Sequence, residues 1–287
     1  MPELPEVETV RSGLAPVLTG RRLSRVEARR PDLRFPLPEG FVQRLTGARV
    51  LSVGRRAKYL VAPLDRDETL VMHLGMSGRF EIARPEGPER PGRFHQSVGE
   101  TPKHAHVAFE TDEGVVVTYF DPRRFGYMAL IDTATLDAHP WFAGLGPEPL
   151  SDAFDAARLQ AAFAGRTAGP KTLLLDQRLV AGLGNIYVCE ALHRARISPF
   201  RPAGRISLPR LERLAGVVRE VLIEAIAAGG STLRDFAHAD GALGYFQHRF
   251  RAYDRAGQPC PNHGCRGTID RRVQAGRSTF WCPVCQR

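Results

Sequence analysis

The chain has 287 residues, enough for two separate cores, and 43% of them are hydrophobic against 25% charged, the make-up of an ordinary globular protein. It contains no run of about eighteen apolar residues, the length of a membrane span, and its acidic start is unlike a secretory signal, so a cytoplasmic protein is expected. The formal net charge is +9, which points to an anionic partner, nucleic acid first.

In chain order, "PEVETVRSGLAPVL" places Val7, Val10, Leu14, Val17 and Leu18 three and four apart, the pattern of a helix with one buried face. Pro5 suits its first turn, Glu6 and Glu8 suit its positive end, and Pro16 should end or kink it. Pro2 and Glu3 then lie just ahead of a helix N-terminus. From about 22 to 131 short β-like runs follow: "RLSRVEARR", "ARVLSVGRRAKYLVAPL", "ETLVMHLGM", "GRFEIA", "HAHVAFET", "GVVVTYFD" and "YMALID". Many short strands at even spacing suggest an antiparallel sandwich or barrel. Residues 85 to 102 read as a mobile loop, and the Pro- and Gly-rich stretch 138–151 as a linker. Beyond it the period becomes helical in "DAARLQAAFAG", "KTLLLDQRLV", "NIYVCEALHRA" and "SLPRLERLAGVVREVLIEAIAAGG". The expected fold is α+β and multidomain. An antiparallel β-sandwich with a leading helix fills 1–137, a linker 138–151, a helical domain 152–250, and a cysteine-bearing β-hairpin 251–287.

The sharpest local signal is that hairpin. Cys260, Cys265, Cys282 and Cys285 make C-x4-C-x16-C-x2-C, two close pairs able to supply four thiolates to a tetrahedral, structural zinc. Disulfides are the less natural use in a cytoplasmic protein. His263 lies inside the first pair and could stand in for Cys260 or Cys265; Cys189, alone on a helix, reads as core. Residues 246–287 hold eight arginines against Asp254 and Asp270. Arg266, Arg271, Arg272 and Arg277 lie between the cysteine pairs, where a metal-stiffened hairpin can present them to phosphates.

Of the 40 Lys plus Arg only Lys58, Lys103 and Lys171 are lysine. Drift toward arginine codons explains the excess. Lysines that survive it are candidates for chemistry that arginine cannot do, because lysine gives up a proton and arginine does not. "AGLGNIY" joins two helical runs, and Asn185 opens the second, where free N–H groups attract phosphate. "HLGMSG" and "DPRRFGYM" offer a methionine, arginines and a phenylalanine. These are the residue types that fill the gap when a base leaves the stack. On residue type alone, core packing beside a surface arginine is the simpler reading.

"PELPEVET", "RRAKYL", "HLGMSG", "TYFDPRRFG", "LGPEPL", "AGLGNIY" and the terminal cysteine hairpin occur in the order found in bacterial formamidopyrimidine-DNA glycosylases, and the chain resembles that family along essentially its whole length. The resemblance implies a β-sandwich, a helix–two-turn–helix domain and a zinc finger, with double-stranded DNA held in the cleft between the domains. It implies a monomeric, nucleoid-associated repair enzyme that excises 8-oxoguanine and formamidopyrimidines and then cuts the strand at the abasic site. Met1 is expected to be removed, leaving Pro2 as a secondary-amine nucleophile. By the same resemblance Glu3 is the acid at the sugar oxygen, Glu6 supports it, Lys58 is the phosphate-binding proton donor for β-elimination, and Arg277 serves δ-elimination. His104, Arg123, Arg166, Lys171 and Asn185 match DNA contacts, and Met76, Arg123 and Phe125 match the void-filling residues. All three lysines fall on family lysine positions. Two departures stand out. "GRTAGPK" is one residue longer than usual around Arg166, and the first knuckle is C-x4-C where the family has C-x2-C, which gives the His263 alternative more weight. Rival readings are an endonuclease VIII-type enzyme for oxidised pyrimidines, which usually begins Pro-Glu-Gly-Pro, an N-terminal-proline tautomerase, and a non-catalytic zinc DNA-binding protein.

Overall fold

Helix α1 (Leu4–Leu18) forms where the apolar spacing places it, with Val7, Val10, Leu14, Val17 and Leu18 all buried. Pro16 sits in its last turn, and the helix closes at once, the Thr19 N–H donating to the Ala15 carbonyl at 3.0 Å. In the computed structural model, which describes residues 2–84, 102–231 and 244–287, β1 (Leu23–Ala28), helix α2 (Phe41–Leu45), β2 (Gly54–Arg56), β3 (Tyr59–Pro63), β4 (Glu68–His73), β5 (Arg79–Ala83), β6 (Ala105–Thr111), β7 (Val116–Phe120) and β8 (Tyr127–Asp132) follow α1. The stretch read as a mobile loop lies, apart from Pro102, outside the described residues.

The strands make two four-stranded antiparallel sheets, ordered β1-β6-β7-β5 and β2-β3-β4-β8. Alternation along each strand turns one face of each sheet inward. Val26, Phe80, Phe109 and Val117 of the first sheet meet Leu60, Ala62, Leu70 and Met72 of the second in one core, which α1 joins through Val10 and Leu14. This is the expected β-sandwich. Truncating one of these leucines to alanine costs about 2–5 kcal/mol.

The chain divides into two compact units, Met1–Ala143 with Ala228–Tyr245, and Gly144–Ala227 with Phe246–Arg287. The second unit is built from α3 (Ala156–Phe163), α4 (Pro170–Leu174), α5 (Asn185–Arg194) and α6 (Leu208–Ala227), followed by the hairpin β9 (Asp270–Gln274) and β10 (Arg277–Trp281). Helix α6 buries Leu211, Leu214, Val218, Val221, Leu222 and Ala225, an i, i+3, i+4 stripe. The helix expected from Lys171 to Val180 stops at Leu174. Asp176 caps the Arg178 N–H at 3.0 Å. Gln177 accepts from the Gly182 N–H at 2.8 Å and donates to the Leu183 carbonyl at 2.9 Å. Two side chains thus satisfy a pair of turns, and the buried Val180 and Ala181 extend the apolar pattern beyond the helix. Helices α4 and α5 with these turns form a helix–two-turn–helix. No helix among the described residues is long and apolar enough to cross a membrane.

Candidate active site and metal centre

Pro2 and Glu3 are buried immediately ahead of α1. Glu3 is the N-cap, and its backbone N–H donates to Glu6 Oε2 at 2.8 Å, half of a capping box that satisfies a helix-end donor. The other Glu6 oxygen accepts the Ser231 N–H at 2.8 Å and the Ser231 hydroxyl at 3.0 Å. Glu6 is only 2% exposed, so its carboxylate is committed to fixing the backbone at Glu3 and at Ser231. Ser231 lies 225 residues from Glu6 in sequence, and no local pattern could have named it.

Lys58 sits on the two-residue turn between β2 and β3, 93% removed from solvent at 7% exposure. Ala57, the other turn residue, has φ 53°, a left-handed conformation that costs an alanine about 1 kcal/mol. Arg55 holds it there, donating to the Ala57 carbonyl at 2.9 Å while its Nε pairs with Glu8 of α1 at 3.1 Å. Glu8 also takes Arg11 at 2.7 Å. The helix that Glu3 caps and the turn that carries Lys58 are therefore tied through one carboxylate. Behind the turn, Tyr59 stacks on Trp141 and His73 stacks on Tyr127. Burial first, then the charges of Lys58 and Arg34, push the His73 imidazole down to about 4. It is thus neutral at pH 7, and its Nδ1 accepts the Gly75 N–H at 3.0 Å.

That bond shapes the turn bearing Met76, which is half-buried. Arg123 and Phe125 are exposed on the neighbouring loop, Phe125 to 42%, with the Arg123 guanidinium 5.0 Å from the ring centre. The two loops touch. A Cβ at Gly75 would lie 2.3 Å from the Gly126 nitrogen and the Phe125 carbonyl carbon, so only glycine fits there. The fully buried Asp121 joins them, accepting Ser77 Oγ–H at 2.5 Å and the Gly126 N–H at 2.8 Å. Ser77 Oγ in turn accepts the Arg123 N–H at 3.2 Å. Residue type could not single out Ser77 and Asp121, because short polar side chains are common in turns. His104 ends a 3₁₀ turn, and its carbonyl accepts the Asp121 N–H at 3.1 Å.

In the second unit, Arg166 is exposed in the loop before α4. Lys171 is 1% exposed, and its ammonium donates to the Ser278 carbonyl at 3.0 Å and to Thr279 Oγ1 at 2.7 Å. Burial, with the Arg277 charge acting in the same sense, holds its pKa below the ordinary lysine value. Asn185 begins α5 and donates to the same Ser278 carbonyl at 2.9 Å. Arg277, next in sequence to Ser278, is exposed at the start of β10, after a two-residue turn at Ala275 and Gly276. Arg271 and Arg272 are also exposed, but Arg272 lies 5.1 Å over Phe200 and 5.4 Å over Trp281, and so packs as well as charges the hairpin.

The Sγ atoms of Cys260, Cys265, Cys282 and Cys285 all lie within 4.8 Å of one another. Cys260–Cys285 is 3.7 Å and Cys265–Cys282 is 3.6 Å. A zinc bound by four thiolates at ~2.3 Å sets them ~3.8 Å apart, so the donor set and its spacing fit one structural zinc. His263 is exposed and does not belong to the cluster, and Cys189 is buried on α5 as expected. Gly267 is needed beside the cluster, where a Cβ would lie 2.6 Å from Cys282 Sγ.

The fold and these sites define a helix–two-turn–helix protein with a zinc finger and a β-sandwich that opens on a buried Pro-Glu cap. The family model described as the formamidopyrimidine-DNA glycosylase N-terminal domain matches residues 1–128, that of its H2TH domain 145–237, and that of the zinc finger found in FPG and IleRS 257–287. The formamidopyrimidine-DNA glycosylases of Phenylobacterium zucineum and Caulobacter vibrioides are 77% and 69% identical, each over 100% of both chains. Among solved structures, the MutM (Fpg) protein of Thermus thermophilus is 41% identical with a TM-score of 0.83, over 99% of this chain and 98% of that one. Lactococcus lactis Fpg, solved in a complex with abasic-site DNA, is 33% identical with a TM-score of 0.85, over 99% of each chain. The chain belongs to the formamidopyrimidine-DNA glycosylase family.

Proposed function

We propose that the chain is a bifunctional DNA glycosylase and abasic-site lyase of base excision repair, acting on 8-oxoguanine and formamidopyrimidines in double-stranded DNA. The observation that carries this reading is the start of α1, where Pro2 and Glu3 are buried and Glu6 fixes the Glu3 backbone. After removal of Met1, the Pro2 nitrogen attacks C1′ of the damaged nucleotide. The N–C1′ bond forms as the glycosidic bond breaks, and the base leaves with that electron pair and takes up a proton. Glu3 protonates the sugar ring oxygen, the ring opens, and the iminium is an electron sink. Loss of a C2′ proton expels the 3′-phosphate, and a second elimination expels the 5′-phosphate. Lys58 binds phosphate and moves a proton in the first elimination, and Arg277 serves the second. Base excision leaves a gap that Met76, Arg123 and Phe125 fill. His104, Arg166 and Asn185 contact the DNA backbone, and Lys171 supports binding by holding the hairpin. The zinc shapes the finger and takes no part in the reaction.

In this reading the catalytic β-sandwich spans 1–137, the linker 138–151, the helix–two-turn–helix domain 152–250 and the finger 251–287, and the enzyme works on the nucleoid in the cytoplasm. The test is borohydride trapping on an abasic-site duplex, followed by peptide mapping. A covalent adduct on Pro2 is expected, lost when Met1 is retained or a tag precedes Pro2. No adduct, or one on a lysine, overturns the proposal. An excision panel of oxidised purines and pyrimidines separates it from an endonuclease VIII-type enzyme.

A further inference from the structure

A zinc held by four thiolates carries a net charge of about −2, and such a centre is stable in a partly buried site only if N–H groups point at its sulfurs. Two donors here are ordinary backbone groups: the Gly267 N–H lies 3.3 Å from Cys265 Sγ, and the Asn262 N–H donates to Cys260 Sγ. Two more are side chains. Asn262, 9% exposed, places Nδ2 3.2 Å from Cys285 Sγ. His193, with 0% exposure, places Nε2 3.3 Å from Cys260 Sγ.

His193 belongs to α5, not to the finger, and it is held in place. One turn earlier on the same helix, Glu190 accepts the N–H groups of Arg251, Ala252 and Tyr253 at 2.8–2.9 Å, fixing the chain that leads into the finger. Asn262 sits in the enlarged knuckle between Cys260 and Cys265, and its Nδ2 also lies 3.5 Å from the His193 carbonyl. The extra knuckle residues thus bring a second donor against the same helix end. The tautomer follows from the neighbours. His193 Nδ1 is buried without a hydrogen-bond partner among the described residues. Nε2 also lies 3.4 Å from Asn262 Nδ2, but the two Nδ2 hydrogens have the Cys285 sulfur and the His193 carbonyl to go to. A proton on Nδ1 would leave that N–H unpaired and turn the Nε2 lone pair toward a thiolate. A proton on Nε2 gives the Cys260 sulfur a second donor and leaves only a lone pair unsatisfied.

We propose that His193 and Asn262 are positioning residues for the metal, donating Nε2–H to the Cys260 thiolate and Nδ2–H to the Cys285 thiolate, and that they set how firmly the finger keeps its zinc. The test uses the full-length, zinc-loaded chain in competition with a chromophoric zinc chelator, beside the absorption spectrum of the cobalt-substituted protein. His193→Leu removes the donor, His193→Gln keeps an N–H at similar reach, and Asn262→Ala removes the second donor from a knuckle loop. His193→Leu and Asn262→Ala should each weaken zinc binding about 10–100-fold and move the thiolate-to-cobalt charge-transfer band to longer wavelength, because a thiolate that has lost a donor is more electron-rich. His193→Gln should recover most of both. Zinc affinity within about twofold of wild type in both donor-deleted variants overturns the proposal. So does a His193→Gln variant as weak as His193→Leu, which would assign the effect to packing. If His193→Leu does not fold, Asn262→Ala decides by the same two readouts.

Discussion

His73 links the β-sandwich to acid sensitivity in a way that can be measured. Its ring is stacked on Tyr127 at 4.8 Å, and burial, Lys58 and Arg34 hold its pKa at about 4 against the ordinary 6.5. A histidine depressed in the folded state stays neutral while the unfolded chain takes up a proton. Its contribution to stability is therefore whole above pH 6.5 and is lost as pH falls from 6.5 toward 4. At ~1.4 kcal/mol per pKa unit the full loss is about 3 kcal/mol, of which about 2 kcal/mol falls between pH 7 and pH 5. His73→Asn removes the titration but keeps an acceptor near the position of Nδ1 for the Gly75 N–H. Loss of the ring costs stability at every pH alike. Urea unfolding of wild type and variant at both pH values separates the two effects, since only the pH-dependent part belongs to the imidazole. The wild type should lose about 2 kcal/mol more than His73→Asn on going from pH 7 to pH 5. Equal losses in the two proteins would refute the reasoning and place the acid sensitivity elsewhere.

Glu3→Gln should lower base excision about 100-fold or more while cutting of a ready-made abasic site falls much less, measured in single turnover on the two substrates; equal losses would make Glu3 structural. Lys58→Arg keeps the charge but will not give up a proton, so strand cleavage should fall about 100-fold while DNA affinity at one fixed salt concentration changes by less than about threefold. Near-native turnover would reduce Lys58 to a phosphate clamp. Arg277→Lys should keep part of its function, because the ammonium still reaches phosphate oxygens without the bidentate fork; a complete loss, read as the ratio of δ- to β-elimination products, would contradict this. Chelation, or Cys282→Ser, should abolish tight DNA binding without melting the sandwich, followed by binding assays beside circular dichroism; undiminished binding by metal-free protein would remove the finger from the interface.

What the sequence disclosed and what it hid follow one physical division. Helix α1, the strand runs and the cysteine cluster were legible because each depends on periodicity or spacing over a few residues. The surplus of Leu and Val after Lys171 misled for the same reason: burial continues through the turns after Leu174, so the apolar pattern outlasts the helix. The five-residue α2 is too short to show a period at all. Residues defined by distant partners were not visible. Ser231 matters because Glu6 reaches it, Asp121 because it joins two loops, and His193 because the finger folds back onto α5. Each is an ordinary residue until the fold supplies its neighbour.

Lys171, Asn185 and Arg277 look like three separate contacts in the sequence, yet in the fold they converge. Lys171 Nζ and Asn185 Nδ2 both donate to the carbonyl of Ser278, the residue after Arg277. A carbonyl with two lone pairs accepts two donors without strain, so helices α4 and α5 grip the start of β10, the second strand of the hairpin, at a single atom. The buried ammonium gains a further bond to Thr279 Oγ1, and Thr279 donates on to Gln274 Oε1 at 3.1 Å, across the base of the same turn. Lysine suits this place better than arginine: its compact ammonium meets two acceptors in a site with 1% exposure, whereas a planar fork needs a flat pair of acceptors and more room. The survival of Lys171 in an arginine-rich chain is thus explained by packing, while Lys58, on a strained turn tied to the helix that Glu3 caps, stands where the proposed reaction asks for a proton to be moved. The scarcity of lysine marked both positions, but only their surroundings tell the two reasons apart.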